Sequence, residues 1–136
     1  MPTSQAHRLA DVLERDKRVL VAYLFGSMAR GIDTPESDTD VAVLLSELPG
    51  NMLDYHLDLM EGLSKVLGDD IDLVLLNTAP PLLKHQVIKH GRVLYCRDEK
   101  ARVEFEAKAW KEYMDFGRRR VRYDEALIEE ILKWKG

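Results

Sequence analysis

Three stretches of this chain are apolar and rich in β-branched residues almost without interruption: Val19-Leu20-Val21-Ala22-Tyr23-Leu24-Phe25, Asp40-Val41-Ala42-Val43-Leu44-Leu45, and Ile71 to Leu76. Runs that short, without regular polar alternation, predict strands covered on both faces, and such cover requires helices on either side of a sheet. The intervening sequence supplies them. Residues 4–16 place Leu9, Val12 and Leu13 at helical spacing. From Leu53 onward, Leu57, Met60, Leu63 and Leu67 recur every three or four residues, with Asn51 placed to cap the start and Gly68 to close the end. Pro80-Pro81 suits the first turn of a helix running to about His90, Gly91 ends it, and Arg92 to Cys96 predicts a short edge strand. Strands alternating with helices define an α/β (α+β) domain, a mixed sheet of about four strands flanked by helices.

At 136 residues and 46% hydrophobic, the chain has the size and apolar content of one core, so residues 1–136 are expected to form a single domain. Residues 99–135 contain no proline and predict a long C-terminal helical segment. Gly117 and the run Arg118-Arg119-Arg120 leave open whether it is one helix or two. A net charge of -4 gives no overall basic character, and no direct nucleic-acid binding is expected. The single cysteine, Cys96, has no intramolecular disulfide partner; no signal-peptide pattern or membrane-length apolar run occurs. A reducing cytoplasm is therefore expected.

Chemistry concentrates where the strands begin and end. Gly26-Ser27 directly follows the first strand, Asp38-Thr39-Asp40 opens the second, and Asp72 lies within the third. Alternate strand residues point the same way, so Asp38 and Asp40 can aim both carboxylates at one point. Two acids that close repel each other unless a hard divalent cation bridges them, and Mg²⁺ takes its remaining ligands from water and substrate phosphates such as those of ATP. Gly26 permits a tight turn, and Ser27 opens a short helical turn whose free N–H groups suit a phosphate. An ionised Asp72 among Ile71, Leu73 and Val74 is costly unless paired or metal-bound, which favours a functional role in ligating metal and assisting deprotonation; taken by itself, Asp72 reads equally as a surface-facing edge residue. Two Mg²⁺ ions and in-line displacement at the α-phosphorus are the chemistry such a triad serves.

Gly26-Ser27, ten residues, then Asp38-Thr39-Asp40 resembles the signature of the polymerase β-type nucleotidyltransferase superfamily. Gly26-Ser27-Met28-Ala29-Arg30-Gly31 is similar to the form in its minimal members. With Asp72 the resemblance covers residues from about 18 to 77, and none of Gly26, Ser27, Asp38, Asp40 and Asp72 departs from the pattern. The resemblance implies that Asp38, Asp40 and Asp72 bind Mg²⁺, that Gly26 and Ser27 hold the triphosphate, and that Arg30 reaches a phosphate. The short length resembles the MNT antitoxins, encoded beside HEPN-domain ribonuclease toxins. That likeness implies transfer of AMP from ATP to a tyrosine of the cognate toxin, which it neutralises. A small-molecule hydroxyl as acceptor, or neutralisation by binding alone, are the alternatives.

Other features carry less. His85 and His90 are five apart, the wrong interval for a shared helix face, so a zinc site is not expected; His7 and His56 have no companion motif. Cys96 reads as a packing residue. Arg118, Arg119, Arg120 and Arg122 with Tyr113 and Tyr123 are compatible with a basic-aromatic patch or a solvated face. Trp110, Phe116 and Trp134 make the C-terminal segment the candidate docking surface for a protein partner.

Overall fold

The structure is a computed structural model and describes residues 3–25, 39–68 and 71–120. Its elements follow the order α1 (Thr3–Arg15), β1 (Val19–Phe25), β2 (Thr39–Leu45), α2 (Met52–Leu67), β3 (Ile71–Leu75), a 3-10 turn (Leu76–Thr78), α3 (Pro81–His90), β4 (Arg92–Cys96) and α4 (Glu99–Arg120). The strands form one mixed sheet in the order β3-β2-β1-β4. β1 pairs antiparallel with both β2 and β4, whereas β2 and β3 run parallel, joined by the crossover helix α2. That crossover is what a parallel pair requires, since no tight turn can connect strands pointing the same way.

Both faces of the sheet are covered, as the uninterrupted apolar runs demand. Ala22, Leu24, Val41, Val43, Leu45, Ile71 and Leu73 meet Leu9 and Leu13 of α1 and Leu59 and Leu63 of α2. Val21, Tyr23, Phe25 and Ala42 form the opposite face with Leu76 and Val87, and Leu83 and Phe105 pack onto them. Val19 and Val21, two apart, fall on different faces because the β1–β2 register shifts between them.

The caps follow the sequence reading. The Asn51 side chain accepts from the Asp54 N–H at 3.1 Å, and Gly68 ends α2 at φ 80°, a left-handed conformation that glycine adopts without steric cost. At the α3–β4 junction, close approach matters instead. A Cβ on Gly91 would collide with the Val87 carbonyl oxygen and stand 3.2 Å from that of Leu24. Gly91→Ala is therefore expected to destabilise the fold by about 1–3 kcal/mol, read as a lower urea midpoint. An unchanged midpoint would mean the junction relaxes freely.

α4 runs unbroken through Gly117 to Arg120, which settles its described part as one helix; residues 121–135 of the expected segment lie outside the described residues. Among the described residues no helix is long and apolar enough to cross a membrane.

Candidate active site

The parallel ladder brings two of the expected acids together. Asp40, the second residue of β2, is the register partner of Asp72, the second residue of β3. Register partners share a face on strands about 4.8 Å apart. Alternation puts both on the side of Ala42 and Val74, the face covered by α3 and α4. On the other side of β2, Asp40 is opposite Phe25, the last residue of β1. Gly26 is thus covalently joined to a residue paired with Asp40, and Asp38 is joined to buried Thr39. Gly26, Ser27, Arg30 and Asp38 themselves lie outside the described residues. Among the described residues no group of three or more His, Cys, Asp or Glu converges.

One premise of the sequence reading is corrected. Asp72 is exposed within β3, and Asp40 is part-buried. β3 is an edge strand of the sheet, and α3 and α4 leave this end of its face uncovered. No large desolvation cost therefore acts on Asp72, and the case for its role rests on register with Asp40. Two carboxylates, adjacent on one face and open to solvent, fit a hard divalent cation that binds oxygen and keeps part of its water shell.

The same face carries a polar network that pattern reading missed, because its members are far apart in sequence. The Tyr23 hydroxyl donates to Glu106 Oε2 at 2.9 Å across 83 positions. Arg102 holds Glu106 at 2.7 Å and pairs with Glu99. Burial, then the bond to Glu106, drives the Tyr23 hydroxyl well above its ordinary pKa, so it stays a donor that ties α4 to β1. Cys96 donates weakly to Glu99 at 3.4 Å, and burial pushes its thiol up, in keeping with packing rather than nucleophilic use. His56, part-buried within α2, donates through Nε2 to the Leu73 carbonyl at 2.6 Å, next in sequence to Asp72. Asn77 closes the far end of β2, accepting from the Leu45 N–H and donating to the Leu45 carbonyl, both at 2.8 Å.

His85 is buried, stacked on Tyr113 at 3.7 Å and set edge-on to Trp110 at 4.8 Å. Burial, then Lys89 and His90, lowers its pKa from the ordinary 6.5. The unfolded chain therefore binds this proton at a higher pH than the folded one does. The stabilising contribution of neutral His85 is complete above 6.5 and is lost as pH falls below it. Urea midpoints should decline from about pH 7.5 to about pH 5, and His85→Phe should flatten that decline. Trp110 is half-exposed and Phe116 part-buried, while Trp134, the third member of the expected docking surface, lies outside the described residues.

The sequence pattern of the polymerase β nucleotidyltransferase family matches residues 7–100, and the chain belongs to this family. It is 35% identical over 78 residues to the protein adenylyltransferase MntA of Shewanella oneidensis, across 57% of this chain and 55% of that protein. It thus spans about half the length of that curated relative. The fold superposes on a chain of a toxin–antitoxin crystal structure with AMP-PNP, with a TM-score of 0.77 and 26% identity over 93% of this chain and 98% of that one. It also superposes on a chain from the complex of tri-AMPylated Shewanella oneidensis HEPN toxin with MNT antitoxin, with a TM-score of 0.74 and 25% identity over 97% and 99%.

Proposed function

We propose that this chain is an antitoxin nucleotidyltransferase that moves AMP from ATP onto a tyrosine hydroxyl of a cognate HEPN ribonuclease toxin in the cytoplasm, neutralising it. The observation that carries the reading is the in-register pair Asp40 and Asp72 beside the end of β1, where Gly26-Ser27 begins. Relatives of the same family are named protein adenylyltransferases, and similar chains occur in toxin–antitoxin complexes, one of them with an AMPylated toxin.

In this reading Asp38, Asp40 and Asp72 would hold Mg²⁺ through carboxylate oxygens, and Asp72 would help deprotonate the acceptor hydroxyl as it attacks the α-phosphorus of ATP and pyrophosphate leaves. Gly26 and Ser27 receive the triphosphate on backbone N–H groups, and Arg30 contacts a phosphate. Two Mg²⁺ ions, when bound, neutralise phosphate charge and make the acceptor hydroxyl easier to deprotonate. Asp40 and Asp72 lie where a macromolecular acceptor can reach them, since Asp72 is exposed and Asp40 only part-buried.

Incubating the full chain with ATP, Mg²⁺ and the HEPN toxin encoded beside it tests the reading. AMP-sized mass additions on a toxin tyrosine are expected, together with loss of RNase activity. Neutralisation without any addition would assign the chain to binding alone, and labelling of a small hydroxyl compound instead of the toxin would assign it to the other acceptor class.

A further inference from the structure

β3 is an edge strand of five residues and carries Asp72 at its second position. On one side the ladder to β2 sets Asp72 opposite Asp40; on the other side no strand follows. Asp72 is exposed and, among the described residues, has no hydrogen-bond or ion-pair partner, so its carboxylate is placed by the backbone under it.

His56 holds that backbone from the open side. Its Nε2–H donates to the Leu73 carbonyl at 2.6 Å, across 17 positions of sequence. A carbonyl on the outer side of a strand is open to such a bond only where no further strand pairs, so the imidazole closes the edge immediately after Asp72. The helix places His56 where packing alone calls for an apolar residue. Met52, His56, Leu59 and Leu63 recur at four-, three- and four-residue steps along α2, and the other three belong to the core between this helix and the sheet. A part-buried imidazole on such a stripe costs free energy unless it is hydrogen-bonded, and here its donor satisfies a carbonyl that the sheet leaves over. α2 is also the crossover from β2 to β3, so one element joins the two acid-bearing strands and grips the second of them next to its acid.

We infer, on the basis of the function proposed above, that His56 is a positioning residue for metal binding and AMP transfer: through the Leu73 carbonyl it holds the Asp72 carboxylate in register with Asp40. It acts through the strand and not on the reacting atoms. Groups that orient a metal-holding side chain indirectly change affinity or rate by about 10–100-fold when removed.

His56→Ala and His56→Gln in the full chain separate this role from plain stability. Two quantities are read at low temperature, where both variants are folded: Mn²⁺ affinity of the chain without nucleotide, by electron paramagnetic resonance, and single-turnover AMP transfer to the toxin. His56→Ala should lose about tenfold or more in each, whereas the glutamine amide nitrogen reaches about as far as Nε2 and still donates, so His56→Gln should stay within about threefold of the parent. Backbone amides of residues 71–75 should exchange faster in His56→Ala and at the parent's rate in His56→Gln. A lower urea midpoint in His56→Ala with Mn²⁺ affinity and transfer per folded molecule unchanged would make His56 an edge cap and overturn the inference, as would failure of His56→Gln to restore what His56→Ala loses. If the parent binds Mn²⁺ but adds no AMP to the toxin, the proposed function falls while the Mn²⁺ comparison still decides the role of His56; if it does neither, both fall.

Discussion

Asp40→Asn is expected to lower AMP transfer to the toxin by about a thousandfold or more. Asparagine keeps the size and shape of the side chain at the second position of β2, and Asp40 is only part-buried, so the sheet should tolerate the change. What disappears is one unit of negative charge at the position opposite Asp72. A ligand charge at a phosphoryl-transfer metal contributes several kcal/mol to the transition state, and each 1.36 kcal/mol is about tenfold in rate. The single-turnover rate, followed by intact mass of the toxin, is the measurement; a urea midpoint within experimental scatter of the parent shows that folding is unaffected. Retention of more than a tenth of the rate would remove Asp40 from the reaction. Transfer abolished with neutralisation intact would separate catalysis from occlusion.

Leu63→Ala should produce the largest loss of stability, about 3 kcal/mol within a usual range of 2–5 for a buried leucine. Leu63 has no accessible surface and packs α2 against the sheet among Val41, Val43 and Leu73. Truncation leaves a cavity under the helix that connects β2 to β3, and the surrounding strands can collapse into it only partly. The urea midpoint is expected to fall with the slope unchanged. Transfer per folded molecule should survive at low temperature and fail on mild heating, because Asp40 and Asp72 sit on the opposite face of the sheet. A rate loss in fully folded protein would instead mean that α2 packing tunes the Asp40–Asp72 register.

Much of the fold was legible because its signals are local. Val19–Phe25 is a strand over the limits read from its apolar run, α2 starts after Asn51 and stops at Gly68, and β4 is the edge strand expected from Arg92 to Cys96. The third strand ends one residue early, where Leu76 begins a 3-10 turn. Of the candidate site, the sequence singled out Asp40 and Asp72, which the parallel register brings together, while Gly26, Ser27, Arg30 and Asp38 lie outside the described residues. The exposure of Asp72 was one of two readings the sequence left open, since an apolar neighbourhood in sequence does not say which face a helix leaves open.

The amino-acid order alone determined which segments are strands and helices, where α2 is capped, and which three acids are candidates for metal chemistry. All of these rest on interactions within a few residues or on a repeat of period two or 3.6. Only the tertiary structure decided that Asp40 faces Asp72 in a parallel register, that Tyr23 ties α4 to β1 through Glu106, and that His85 is enclosed by Tyr113 and Trp110. Those relations join residues from separate elements. Register and helix placement are set by the packing of whole faces at once, and no local pattern records that outcome.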